Sequence, residues 1–108
     1  MESKLKNKFR TEAELSRAVL STLRNKYKQD LSIYKTHGNM YTMEGIPDIE
    51  GCCKGKYFAL ELKLPSRKNT LSMEQKARIK QIRRAGGVAY RVTSVEEALE
   101  IVRRLEND

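Results

Sequence analysis

The sequence predicts an α/β domain in which helices flank a central mixed β-sheet. Its 108 residues are enough for one small domain with a buried core. Segments with helical spacing of apolar residues and segments with strand-like alternation follow one another in the order helix, strand, strand, strand, helix, strand, helix. The strand-helix-strand passage over residues 58–92 favours a right-handed crossover between parallel strands.

The first helix is predicted to begin after Thr11. Thr11 and Glu14 have the spacing of a capping box. Glu12 lies three residues before Leu15 and seven before Val19, which are both apolar, so it is predicted to point toward the sheet. Its alternative role is to complement the helix dipole. The expected buried stripe continues to about Tyr27 and consists of Leu15, Ala18, Val19, Leu23 and Tyr27.

Three strands are predicted next, and the last two form a hairpin. Residues 31–35 are the first strand, residues 37–44 a loop, and residues 46–53 and 57–64 the hairpin strands. Lys54 and Gly55 fit a two-residue turn, because glycine readily adopts positive φ. That turn places Asp48 opposite Glu61, with Cβ atoms roughly 4.5–5.5 Å apart. A three-residue turn would instead put the two acids on opposite faces of the sheet.

The second hairpin strand alternates strictly between apolar and other residues, as a half-buried strand does. Glu61 and Lys63 therefore share a face with Asp48. Two carboxylates so close must share a proton or bind a cation, and a hard divalent ion suits their oxygens. The alternative is a pair of surface acids that form salt bridges with Lys63 and Lys56.

These residues fit metal-assisted hydrolysis of a phosphodiester. Asp48 and Glu61 would hold Mg²⁺ or Mn²⁺, and the carbonyl of Leu62 would add an oxygen ligand. Lys63 would orient or deprotonate the attacking water, or stabilise the transition state. Glu12 would add a further ligand if the first helix lies over this face. The single histidine, His37, has no partner at zinc-ligand spacing, and no nucleophilic triad is present.

The second half of the chain is predicted to add a helix, a strand and a final helix. Ser72 and Gln75 form a second capping box, which by itself explains Gln75. The helix runs to about Ala85, where two glycines end it, and residues 88–92 form the last strand. Ser94 opens the final helix. The predicted apolar positions of the two helices are Met73, Ala77, Ile79, Ile82, and Val95, Leu99, Val102, Leu105.

The charge distribution predicts a polyanionic partner. Lysines and arginines number 22 against 14 acids, a net charge of +8. Residues 63–84 carry eight basic residues and one acid, whereas residues 94–108 carry five acids and two arginines. Residues 1–10 are predicted to form a basic arm. The expected phosphate contacts are Lys8, Arg10, Arg67, Lys68, Lys76 and Lys80.

The predicted location is the cytoplasm. The only cysteines, Cys52 and Cys53, are adjacent and unsuited to a mutual structural disulfide, which fits a reducing compartment. No apolar run approaches the ~18 residues that span a bilayer, and the N-terminal residues lack the apolar segment of a signal peptide. The sequence thus predicts a soluble intracellular protein that does not enter a membrane.

Several motifs in order resemble the VRR-NUC (virus-type replication-repair nuclease) domain of the restriction-endonuclease-like superfamily. The resemblance covers about residues 11–104, nearly the whole chain. The motifs are Gly45-Ile46-Pro47-Asp48, Glu61-Leu62-Lys63-Leu64-Pro65, Leu71-Ser72 with Gln75, Ala85-Gly86-Gly87-Val88, and Arg91-Val92-Thr93-Ser94-Val95. The family includes stand-alone phage and bacterial proteins and a domain of a eukaryotic DNA-repair nuclease.

The resemblance implies a restriction-endonuclease-like fold over residues 11–108 and a Mg²⁺- or Mn²⁺-dependent endonuclease. Asp48 and Glu61 match the metal ligands, Lys63 the catalytic lysine, Gln75 the helix glutamine near the site, and Glu12 the acid on the first helix. Stand-alone members imply a homodimer that cuts four-way (Holliday) DNA junctions with paired nicks, in a bacterial cell or a phage-infected host. The alternatives are a nuclease for flaps, nicks or plain duplex, and a DNA-binding module without catalysis.

Overall fold

The chain folds into a four-stranded mixed sheet with three helices packed against it. The structure is a computed structural model and describes residues 9–36, 44–67 and 70–107. The predicted contacts of Lys8 and Lys68, most of the predicted arm over residues 1–10 and most of the predicted loop over residues 37–44 lie outside these ranges. Within them, no helix combines the length and the apolar character that crossing a membrane requires.

The predicted order of elements is confirmed. The helices are α1 (Glu12–Tyr27), α2 (Met73–Arg84) and α3 (Val95–Glu106), and the strands are β1 (Leu31–Lys35), β2 (Ile49–Cys53), β3 (Lys56–Leu62) and β4 (Val88–Val92). Single 3-10 turns follow α1 and β3, at Lys28–Asp30 and Pro65–Arg67. The strands lie in the order β1-β2-β3-β4, so β1 and β4 are the edges. The first two pairs are antiparallel, and β3 and β4 are parallel, as the crossover predicts.

The helices cover both faces of the sheet. Helices α1 and α3 pack on one face and form the main core with Phe58, Leu60 and Leu62 of β3. Helix α2 packs on the other face, where Ile79 contacts Ala59 and Ala89. The prediction of a half-buried strand is therefore wrong for β3. Residues 58–62 are buried on both faces because α2 folds back over the second one.

Serine or threonine caps each helix as predicted, but the reciprocal bonds differ. Only α2 has a complete capping box. At α1, the Glu14 carboxylate accepts from the N–H of Arg10, one residue before the cap. At α3, Glu97 likewise accepts from the N–H of Thr93. In both helices the acid thus bonds to the residue before the N-cap, so the hydrogen-bonded cap extends one residue further toward the N-terminus.

The predicted buried positions are partly wrong on α1 and α2. On α1, Ser16 and Leu20 are buried in addition to the predicted stripe, and Ala18 is half-buried. On α2, Met73 is 82% exposed and Ala77 is also exposed, so the contact with the sheet narrows to two isoleucines. The reason is that α2 crosses only the β3–β4 half of the sheet, and its remaining faces meet solvent.

Candidate active site

The β2–β3 hairpin has the predicted register. Cys53 pairs with Lys56, and Ile49 pairs with Leu60. The turn residues Lys54 and Gly55 have φ values of 52° and 85°, as a type I′ turn requires. The position opposite Glu61 is therefore Asp48, the residue immediately before β2. The two acids lie at the same end of the hairpin and on the same face.

Backbone hydrogen bonds on two sides hold Asp48. Its Oδ2 accepts from the N–H of Leu62, at 2.8 Å. Its main-chain carbonyl accepts from the N–H of Thr36, also at 2.8 Å. The hydroxyl of Thr36 donates to the carbonyl of Pro47, at 2.6 Å. Asp48 is thus fixed between the end of β1 and the end of β3.

Glu61 is only 4% exposed. Its Oε2 accepts from the side-chain Nε2 of Gln75, at 2.9 Å, and lies 3.9 Å from the Nζ of Lys63. Its Oε1 is buried and has no hydrogen-bond partner among the described residues. One carboxylate oxygen is therefore held by the protein, and the other is left with an unmet requirement for a hydrogen, a proton or a cation.

Burial raises the pKa of Glu61 to about 8, and the negative charge of Asp48 acts in the same direction. Glu12 contributes a smaller increase to this pKa, and Lys63 opposes it. Without a cation, Glu61 therefore keeps its proton at neutral pH. A positive ion bound between Glu61 and Asp48 would favour the ionised form and remove the proton.

The side chain of Gln75 caps helix α2 and donates a hydrogen bond to Glu61 at the same time. Its Oε1 accepts from the N–H of Ser72, at 2.8 Å, and completes the capping box. Because the oxygen is used there, the amide nitrogen is free to donate to Glu61. The structural and functional interpretations of Gln75 are thus compatible, and the cap fixes the orientation of the amide.

Glu12 lies on the opposite side of the sheet from α2, in the first turn of α1, and is half-buried. Its negative charge adds a small increase to the pKa of Glu61. Yet residues 9–36, 44–67 and 70–107 contain no group of three or more His, Cys, Asp or Glu side chains that could hold a metal ion. The structure therefore does not join Glu12 with Asp48 and Glu61 in a three-acid cluster.

The donor set fits a hard divalent cation. The unpartnered Oε1 of Glu61 and the Oδ1 of Asp48 are both carboxylate oxygens, which Mg²⁺ and Mn²⁺ prefer. Within a strand, the N–H and C=O of one residue point to the same side. The carbonyl of Leu62 is accordingly directed toward the side on which its N–H meets Asp48.

The predicted basic contacts within the described ranges are exposed. Arg10 precedes α1, Arg67 ends the turn after β3, and Lys76 and Lys80 lie on α2. Two further residues have features that were not predicted. Arg91 pairs directly with Glu61 in the parallel β3–β4 register, and Ser16, one helical turn after Glu12, has a buried hydroxyl without a partner in the described part of the chain. Helical spacing links Ser16 to Glu12, but only the assembled sheet links Arg91 to Glu61.

No family model matches the chain, and no curated protein matches it either. Support for a function therefore comes from the geometry of Asp48, Glu61, Lys63 and Gln75 and from the charges that surround them.

Proposed function

We propose that this protein is a Mg²⁺- or Mn²⁺-dependent endonuclease of the VRR-NUC type, with a restriction-endonuclease-like fold, that hydrolyses phosphodiester bonds in DNA. One observation carries the proposal: the buried Glu61 is held at one oxygen by Gln75, is left unpartnered at the other, and lies beside Asp48. A fold selected only for stability has no use for two adjacent acids in this position, because their ionisation is costly.

Each residue of the proposed site has a distinct role. Asp48 and Glu61 would hold the cation through their free oxygens, with the Leu62 carbonyl as a further ligand. When bound, the cation supplies neutralisation of phosphate charge and a lowered pKa of water. Gln75 keeps Glu61 in one orientation through its own bond to the cap of α2. Glu12, from the first helix, would adjust the charge of the site or hold a water at its edge.

Lys63 would act on the reacting phosphate. Its Nζ lies 3.9 Å from Glu61 Oε2, and its side chain is only 13% exposed. A cation in this position can orient the attacking water, and it can stabilise the additional negative charge of the transition state. A divalent ion held by the two carboxylates would offset their negative charge and leave the ammonium group of Lys63 available to the phosphate.

DNA is the proposed substrate because the site adjoins a surface rich in cations. Arg67, Lys76 and Lys80 are exposed on the elements that follow the site, and Lys8, Arg10 and Lys68 are further proposed contacts. Such contacts recognise backbone position rather than base sequence, which suits a nuclease that selects DNA by shape. The specific proposal is a homodimer that resolves four-way junctions in the cytoplasm of a bacterium or of a phage-infected cell.

The test compares cleavage of labelled four-way junction, flap, nicked and linear DNA with Mg²⁺, with Mn²⁺ and with chelator. Asp48→Asn and Glu61→Gln should each lower cleavage at least about 100-fold. Glu96→Gln, which removes an exposed acid from α3, is the matched control and should cut normally.

Paired nicks confined to the junction would support the full proposal. Cleavage of flaps, nicks or duplex instead would support the nuclease but change its substrate. Binding of DNA without any metal-dependent cutting would indicate a DNA-binding module. Undiminished cleavage by Asp48→Asn or Glu61→Gln would overturn the assignment of the site.

A further inference from the structure

A second concave site lies between helix α2 and the edge strand β4, beside the proposed active site. It has a volume of about 350 Å³. Four cationic side chains from the two elements line it: Lys76, Lys80, Arg83 and Arg91. No acidic residue of the described ranges is among its lining residues, and its remaining walls are apolar or aromatic. We call this site the basic pocket.

The fold brings the four cationic side chains of the basic pocket close together. Lys76 and Lys80 lie one helical turn apart on the same face of α2. The Nε of Arg83 donates to the main-chain carbonyl of Ala89, at 2.9 Å, and its guanidinium lies 4.5 Å from the centre of the Tyr90 ring. Like charges that converge on one concavity repel each other, and a bound anion relieves that repulsion.

The basic pocket adjoins Glu61 through both of its elements. Arg91 is the β4 residue paired with Glu61, and adjacent strands lie about 4.8 Å apart. Ala89, two residues before Arg91, packs under α2 with Ala59, so Arg91 belongs to the face that carries Glu61. Lys76 directly follows Gln75, whose amide contacts Glu61. The pocket therefore begins one strand away from Glu61 and two strands away from Asp48.

We propose that the basic pocket binds a backbone phosphate next to the one that is cut, on the same DNA strand, and that Arg91 is its principal contact. The inference rests on the proposed function, since it uses the same strand of DNA. Arginine suits the role because its planar fork can donate two parallel hydrogen bonds to phosphate oxygens. The lysines on α2 would close around the same group as mobile point charges.

The test measures DNA binding by the full chain in chelator, where no cutting occurs, as a function of salt. Arg91→Gln should lower the slope of log affinity against log salt by about one and weaken binding roughly tenfold. Arg91→Lys should keep the slope and lose part of the affinity. Arg17→Gln removes one exposed arginine from α1, on the other face of the sheet, and should leave both values unchanged. Equal melting temperatures establish that the variants fold alike.

A second measurement locates the phosphate. Single backbone phosphates that flank the cleavage position are replaced by uncharged methylphosphonate. At one flanking position, the replacement should weaken binding by the wild type and cause no further loss with Arg91→Gln, because both changes remove the same contact.

The outcomes separate the two proposals. If the wild type cuts DNA but Arg91→Gln keeps its affinity and salt slope, the proposal that the basic pocket binds a phosphate is wrong, and the proposal of a nuclease stands. If Arg91→Gln loses one unit of slope but no metal cuts DNA, the basic pocket does bind a backbone phosphate, whereas the nuclease and the position of that phosphate next to a cut are wrong. Additive losses from methylphosphonate and Arg91→Gln at every flanking position would also overturn the pocket, as would a wild type that shows no salt-dependent binding.

Discussion

Glu61 illustrates at the scale of a single residue how the proposed function opposes stability. Its neighbours on β3, Leu60 and Leu62, are fully buried apolar residues, and the chain around it is closed by helices on both faces. An ionised carboxylate in such a place lacks the solvation it has in the unfolded chain. The side-chain amide of Gln75 donates to Glu61, the ammonium group of Lys63 lies nearby, and the pKa of Glu61 is raised. Its Oε1 still has no partner in the described part of the chain.

This arrangement predicts a specific dependence of stability on pH. The pKa of Glu61 is raised from 4.5 to about 8 in the folded protein. Between these values the folded protein keeps a proton that the unfolded chain has released, so the free energy of unfolding falls as pH rises and levels off above the folded pKa. In Glu61→Gln this decrease should disappear, and the variant should be a few kcal/mol more stable than the wild type near pH 8.5, at about 1.4 kcal/mol per pKa unit.

Urea unfolding of both proteins in chelator, from about pH 5 to about pH 9, measures the difference. Glu96→Gln serves again as the control, because its exposed carboxylate should leave the wild-type slope in place. Added Mg²⁺ should stabilise the wild type more at the alkaline end than at the acidic end, where protons compete for the carboxylates, and should stabilise Glu61→Gln little. Parallel pH profiles for wild type and Glu61→Gln would contradict the raised pKa.

At the scale of elements, the hairpin was predictable because its determinants are local. The Lys54-Gly55 turn alone fixes the register and thereby the pairing of Asp48 with Glu61. Capping residues likewise marked the beginnings of all three helices. The alternation along β3 also placed Lys63 on the same face as Glu61. The position of Gln75 beside Glu61 was expected only from the family resemblance, because its cap explains the residue without any site.

Other features depended on contacts between distant segments and were not predictable. Alternation along β3 shows which side chains share a face, but not that α2 returns to bury the second face. For the same reason Met73 was wrongly expected to be buried. The pairing of Arg91 with Glu61 requires the parallel register, which no turn specifies. The unpartnered hydroxyl of Ser16 emerges only when the surrounding groups are in place.

Gly45 links the loop before Asp48 to the start of α2, and its substitution tests that link. It has a φ of +82°, and an added Cβ would lie 2.3 Å from the carbonyl oxygen of Glu74. Gly45→Ala must therefore move the loop away from the turn of α2 that carries Gln75. We expect a loss of roughly 2–4 kcal/mol in the free energy of unfolding, with a fall in metal-dependent cleavage.

Gly55→Ala is the matched control for this prediction. Gly55 shares the positive φ, at +85°, but an added Cβ there would meet nothing within 4 Å. It should cost only the conformational strain, about 1 kcal/mol, and leave cleavage intact. Urea unfolding and the junction assay give both readouts. Equal destabilisation by the two variants would show that the contact of Gly45 with α2 is unimportant.

At the scale of the whole molecule, opposite faces of the sheet carry different charges. Helix α2 presents Lys76, Lys80 and other cations beside the site, whereas α3, on the other face, carries acids that its own arginines partly neutralise. Glu100, for example, bonds to Arg103 and Arg104. A polyanion is thus attracted to the α2 face more than to the α3 face, which would give the proposed DNA substrate one preferred side of approach.

In the proposed nuclease, one preferred side and one pair of carboxylates would provide for one cut per subunit. Symmetric cleavage of a junction would then need two subunits related by a two-fold axis. We expect a solution mass of twice 12.5 kDa under cleavage conditions. A dimer that pairs one wild-type subunit with one Asp48→Asn subunit, isolated through two different tags, should bind a cruciform plasmid normally but release nicked circles. The wild-type dimer should release linear DNA, because both strands are cut before it dissociates. A monomeric mass, or linear product from the mixed dimer at the wild-type rate, would refute the dimeric mechanism. The site within one subunit would then be tested separately, by metal-dependent nicking of DNA.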